Sequence, residues 1–296
     1  MFSKLWLIFC LVTFSLSGNA PNWSIEGKQE GWNQDELVKN YFYHSELQRQ
    51  WAWELLGKIR LKGDERVLDF GSGDGKITAE ISQFLQNGSI KGVDISKEMV
   101  HFARARFPKP ICPHLEFAEI SSLSDVNENY DIIFSFCVLH VVPDPLQILT
   151  DLHDKLLENG KLYLVTPCGK NPEFFQAAEE TFTKFGLQSA WQTGKMKGAT
   201  IRTLEGSREL LEKAHFKVER LEMVDTENLF IDTSEFLEWL KGTLSANWNV
   251  PFSESHDFFS EVIKRLAELD PNLIDEQGVI HYKLSRIHVE ATKSAF

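Results

Sequence analysis

Cysteine is scarce. The 296-residue chain has four, Cys10, Cys112, Cys137 and Cys168, and no C-x-x-C pair. That excludes a disulfide framework and the common structural zinc sites. His114 lies near Cys112, but no second pair completes a ligand set, so no metal is expected. Cysteines scattered in this way read as small buried hydrophobes. Positive charge is also in deficit. With 31 Lys and Arg against 43 Asp and Glu, the formal net charge is −12, and no local basic patch interrupts it. Such a surface repels phosphate backbones, which argues against nucleic acid as a partner. There is no repeat, low-complexity tract or clear linker. Nothing in the sequence speaks to oligomeric state.

The apolar run Leu5–Leu16 follows a short positive start, Met1 to Lys4, and ends among Ser15, Ser17, Gly18 and Ala20. It is too short for a stable membrane span and has the layout of a secretory signal peptide. Residues 1–20 are therefore set apart as a targeting-like segment, 21–40 as an N-terminal extension, and 41–296 as the folded domain. Hydrophobic residues at 43% are enough for a sizeable core in that domain.

Periodicity organises the domain into alternating units. Apolar spacing predicts a helix over Asp35–Lys58, a strand over Arg66–Phe70 and a helix over Lys76–Asn87. A strand over Ser89–Asp94 leads to a helix capped by Ser96. Leu115–Ala118, Tyr130–Phe136 and Lys161–Thr166 read as further strands. The helix between the last two is capped by Asp144 and ended by Asn159-Gly160. Strands separated by helices predict a parallel sheet of βαβ units. After Thr166 the rhythm changes. Helices over about 171–215 and 230–275 interrupt the strands Lys217–Val224 and Tyr282–Ala291, and read as a lid above the sheet.

Two motifs carry chemistry. In Val67-Leu68-Asp69-Phe70-Gly71-Ser72-Gly73-Asp74-Gly75 a strand must turn sharply into a helix. Glycine allows positive φ and close ligand approach, and the helix start supplies unpaired N–H groups. Dinucleotide enzymes use such turns too. Here, however, Asp69 precedes the glycines; its carboxylate would repel a pyrophosphate and attract an amino cation. One unit later, Gly92-Val93-Asp94-Ile95-Ser96 places a second acid at a strand end, where it can accept from both ribose hydroxyls.

With these motifs the sequence from about Tyr41 to Lys293 resembles the class I methyltransferases, nearest the trans-aconitate and juvenile hormone acid methyltransferase-like group. Ala118-Glu119-Ile120 is similar to their acidic pair at the adenine, with Glu119 where Asp is usual. Val138 to Asp144 resembles their loop facing the substrate. The resemblance implies a Rossmann-like α/β fold with a mostly parallel seven-stranded sheet, an antiparallel edge hairpin and inserted helices. It implies S-adenosyl-L-methionine as methyl donor, in contact with Asp69, Gly71, Ser72, Gly73, Asp94, Ile95, Met99, Glu119, Ile120 and Phe136. Tyr43 and Gln48 are further contact candidates on a helix that closes over the donor, while Trp51 and Leu55 read as core. A donor made in the cytosol conflicts with the export-like N-terminus, so compartment stays open.

The acceptor implied is a small molecule, with carboxylate O-methylation first and a phenolic or other small acceptor as the alternative. His140 is the candidate donor or base facing it. Arg202 is a weaker candidate for pairing an acidic substrate. Phe174, Phe175, Phe182, Phe185, Trp191, Trp239 and Trp248 are aromatics of the second half that suit either an apolar pocket or the core.

Overall fold

The computed structural model of the protein describes residues 31–109, 111–168, 171–188 and 200–294. The targeting-like segment, Cys10 and Trp191 lie outside them. Among the described residues seven strands form one sheet: β1 (Arg66–Phe70), β2 (Ser89–Asp94), β3 (Leu115–Glu119), β4 (Tyr130–Phe136), β5 (Leu156–Cys168), β6 (Phe216–Phe230) and β7 (Ile280–Lys293). Their spatial order is β3-β2-β1-β4-β5-β7-β6. Pairing is parallel from β3 through β5, while β7 runs antiparallel to both β5 and the edge strand β6. The parallel part is what the βαβ rhythm predicts, and the whole is the Rossmann-like sheet with an antiparallel edge that the resemblance implies. The chain reverses its strand order between β1 and β4, which opens a crevice at their carboxyl ends.

Strand side chains alternate between two cores. Val67, Phe134 and Val165 point to one face; Leu68, Ile133 and Leu164 point to the other. The first face is covered by α2 (Glu46–Leu56), α3 (Lys76–Ser82), α4 (Lys97–Arg106), α6 (Pro172–Lys184), α8 (Thr233–Trp248) and α9 (Ser255–Leu269). The second is covered by α5 (Pro145–Lys155) and α7 (Leu204–Lys213). Because both faces are buried, the central strands are almost uniformly apolar rather than alternating. The caps read from the sequence form: Ser96, Asp144, Asn171 and Asp232 each accept a backbone N–H from the first turn that follows.

Four predicted boundaries differ. The helix expected over Asp35–Lys58 is two, α1 (Asp35–His44) and α2, broken at Ser45. The break has a tertiary cause: Lys76 Nζ donates to the Phe42 carbonyl and to Ser45 Oγ, pulling this corner onto the glycine turn. Leu37 and Val38 on α1 are fully buried, so the packed structure includes residues ahead of Tyr41. Asn159-Gly160 does not end α5, which stops at Lys155. Instead Leu156 pairs with Tyr130, and Asn159 (φ 61°) turns the chain before Lys161 pairs with Ile132. Third, α3 ends at Ser82 rather than Asn87, and its last residues tighten into three-residue turns. The edge hairpin is longer than expected, because β6 and β7 pair from Phe216 with Lys293 to Phe230 with Ile280.

Candidate active site

The glycine turn leaves β1 and bends under the β4 loop. The N–H groups of Gly71 and Ser72 donate to the Val93 carbonyl of β2, which ties the turn to the neighbouring strand. Gly71 has φ 80°, and a Cβ there would lie 2.1 Å from Val138 Cγ2; the missing side chain is what lets the two loops meet. Gly73 has φ 53°, and its N–H donates to Asp94 Oδ2 at 2.9 Å. Asp94 Oδ1 accepts from the Ser96 N–H, so the second acid is held at the mouth of the turn.

Asp69 sits beneath the turn, 2% exposed, and accepts from Thr78 Oγ1 at 2.6 Å. Burial raises its carboxyl to about 7, the Thr78 hydroxyl opposes the rise, and nearby Asp94 and Asp74 add to it. Burial likewise raises Asp94. Three acids therefore converge on a turn that supplies Asp69 with no cation. Lys76 is spoken for: it lies 3.4 Å from Asp74 and bonds Phe42 and Ser45.

Two cavities open above the turn. The first is lined by Gly71, Gly73, Asp94, Ile95, Met99, Ile120 and Phe136. The second, of about 160 Å³, is walled mainly by aromatic residues of α2, α6, α8 and β7, together with His140 and Arg202. Trp32, Tyr41, Cys137, Val141 and Asn247 line both, so the cavities share a wall. Trp32 and Tyr41 meet edge to face there, 5.5 Å between ring centres. Cys137 takes up φ 59° at the end of β4, and burial pushes its thiol up to about 12. Asn247 Nδ2 donates to the Thr243 carbonyl, which leaves Oδ1 buried at the shared wall with no hydrogen-bond partner. Arg202 is the one charged side chain lining the second cavity. It donates to the His140 carbonyl at 3.0 Å, makes no ion pair with a described residue, and is pulled down from its ordinary value by burial.

Residues 61–229 match the family described as "Methyltransferase domain", more than half of the chain. The chain belongs to this methyltransferase family. It is similar to the trans-aconitate 2-methyltransferase of Rhizobium etli, 26% identical over 246 residues, covering 82% of this chain and 93% of that protein. The arsenite methyltransferase of Rattus norvegicus is 32% identical over 110 residues, 33% of this chain and 30% of the relative. Among solved structures, the YcgJ protein of Bacillus subtilis superimposes with TM-score 0.58 at 15% identity, covering 84% of this chain and all of that one. A Haemonchus contortus phosphoethanolamine N-methyltransferase, solved with S-adenosyl-L-methionine, gives 0.52 at 17%, covering 82% and 52%.

The enzyme is an S-adenosylmethionine-dependent methyltransferase of small molecules, and the first cavity suits that donor. Asp69 is an acid that burial strips of solvent and that no side-chain cation among the described residues neutralises; an amino cation would complete it. Ser72 Oγ is buried beside it without a hydrogen-bond partner. The donor-binding residues expected from the sequence come together: Gly71, Gly73, Asp94, Ile95, Met99, Ile120 and Phe136 in the first cavity, Asp69 and Ser72 in the recess beneath it. Glu119 ends β3 but is exposed and lines neither space; Ile120 beside it lines the first. His140 and Arg202 both reach the second cavity. Gln48 lines it too, whereas Tyr43 is 74% exposed and turned away.

Sequence reasoning missed the shared wall of the methyltransferase. Cys137 reads as a small buried hydrophobe, and Asn247 is not singled out. Neither residue carries a sequence signal for this wall, because which side chains meet there is decided by packing. Among the described residues no group of three or more His, Cys, Asp or Glu is placed to hold a metal, and no helix is long and apolar enough to cross a membrane.

Proposed function

We propose that the enzyme methylates a carboxylate oxygen of a small organic acid. Arg202 carries this reading: the second cavity is a largely aromatic chamber whose one full charge is a guanidinium without an acidic partner among the described residues. A desolvated cation of this kind is completed by an anionic ligand, and the planar fork suits a carboxylate. The similarity to trans-aconitate 2-methyltransferases over most of both chains points the same way. When bound, the donor supplies a methyl group already activated on a sulfonium. The protein then has to hold the acceptor oxygen in line and exclude water. Trp32, Tyr41 and Val141, which line both cavities, surround the shared boundary with rings and methyl groups. A carboxylate is ionised at neutral pH and needs no base, so His140 orients it rather than deprotonating it.

Two measurements test the proposal. With labelled donor and candidate acids, the label should enter a small molecule and be released by mild base as methanol, as from an ester. Base-stable label on oxygen, nitrogen or carbon would overturn the carboxylate reading. Arg202→Gln should raise the KM for the acid by about 10- to 100-fold, the loss expected for a charge-assisted hydrogen bond, and leave the Kd for S-adenosylhomocysteine unchanged.

A further inference from the structure

Three tryptophans of the first face bear on one question: where their indole N–H groups go. Trp53 Nε1 donates to Glu80, and Trp239 Nε1 donates to Gln48 Oε1 at 3.3 Å. Trp51, one turn along α2 from Gln48, is 2% exposed, and its Nε1 is buried without a hydrogen-bond partner. Buried donors are almost always paired, because leaving one dry destabilises the fold. The sequence makes Trp51 a core residue by its spacing, and a core residue needs no unsatisfied donor.

The ring is held in place from below. The Arg286 guanidinium lies 5.4 Å from its centre. Arg286 is itself fully buried and fixed on three sides. It donates to Glu54, to Thr226 Oγ1 at 2.8 Å and to His288 Nε2 at 3.2 Å. Such a clamp resists rotation of the indole toward another partner.

Trp51 lines the acceptor cavity and not the donor cavity. An indole N–H can only donate, so its missing partner must be a hydrogen-bond acceptor. Arg202, in the same wall, is also donor-only, and among the described residues no Asp or Glu lines this cavity to satisfy either. We infer that Trp51 is a specificity-determining residue whose Nε1–H donates to an anionic oxygen of the methyl acceptor, on a ring fixed by Arg286. The assignment rests on reading the acceptor as an acid. It adds that selection between acids uses a neutral donor on α2 as well as the guanidinium at residue 202.

The test uses the full protein loaded with S-adenosylhomocysteine and titrated with a panel of small mono-, di- and tricarboxylates. Trp51→Phe keeps the ring over Arg286 and removes the donor. The acid that binds wild type most tightly should bind this variant about tenfold more weakly, the loss of one buried hydrogen bond, with S-adenosylhomocysteine affinity unchanged. In wild type labelled with 15N-tryptophan, the Trp51 indole resonance should move downfield on adding that acid and hold still with S-adenosylhomocysteine alone. A purely structural Trp51 would not produce that pattern, and the resonance decides the matter even if the variant folds poorly. Equal acid binding by wild type and variant with an unmoved resonance overturns the assignment alone. Failure of wild type to bind any acid of the panel overturns the acid reading and this assignment with it.

Discussion

Asp69 shows how one side chain would set the pH behaviour of a donor bound over the glycine turn. Its carboxyl is raised from about 3.8 to about 7, chiefly by burial. In the free enzyme the folded state therefore holds a proton that the unfolded chain releases. The sign follows: the contribution to stability is fully present below about pH 4 and is lost as pH rises through about 7. An amino cation bound against Asp69 favours the ionised form instead. Affinity for S-adenosylhomocysteine is accordingly expected to fall as pH drops below about 7, approaching tenfold per pH unit, and Asp69→Asn should bind weakly at every pH. Calorimetry across that range, in buffers of different ionisation enthalpy, should also detect proton release at neutral pH for wild type only. Among the other site residues, Asp69, Gly71, Gly73 and Asp94 were legible because the chemistry of a strand-to-helix turn demands those types at that spacing. Trp51 and Asn247 were not. What marks them out is the hydrogen-bond partner each lacks, and a missing partner has no sequence pattern.

At the scale of elements, the corner between α1 and α2 matters most for function. Helical periodicity runs straight through Ser45, so a single helix was the natural reading. Lys76 overrides it by bonding Phe42 and Ser45 while lying 3.4 Å from Asp74 and 4.8 Å above the Phe42 ring. That one lysine, at the start of α3, fastens the N-terminal helices to the glycine turn and so holds Tyr41 and Trp51 at the cavities. Lys76→Met keeps the stem and removes the charge. It is expected to speed amide exchange across residues 35–56 and to weaken S-adenosylhomocysteine binding by about tenfold, the scale of one buried charged hydrogen bond. Exchange rates and affinity both equal to wild type would show that the corner is held by packing alone. The inserted aromatics raise a related point. Their spacing suits either core or pocket lining, and several are both: Phe174 packs at a tilt against Trp248 and edge-on to Tyr282, and all three line the second cavity.

At the scale of the whole molecule, the active site is closed by segments from opposite ends of the chain. The Asn40 side chain of α1 donates to Glu238 on α8, and the two helices meet closely at Gly242, where a Cβ would lie 2.5 Å from Asn40 Oδ1. Trp32 and Tyr41 from one end and Asn247 from the other then share the wall between the cavities. Among the described residues, packing begins at Gly31, which lies against Ala246 of α8. A protein lacking residues 1–20 is expected to keep its melting temperature and its affinity for S-adenosylhomocysteine. A fall of several degrees on truncation would show that the apolar segment Leu5–Leu16 stabilises the domain.

The sequence by itself determined the fold class, the order of most elements and the donor turn. These follow from local rules: period-two and period-3.6 burial, capping residues, and glycines where the backbone must turn sharply beside a carboxylate. The second cavity, which the proposal gives to the acceptor, was decided only by tertiary structure. Its wall gathers Gln48, Cys137, His140, Arg202 and Asn247 from positions up to about 200 residues apart. Each is ordinary in its own segment. A guanidinium becomes an anion site only when burial removes its water and no acid is brought beside it, and that is a property of the packed chain.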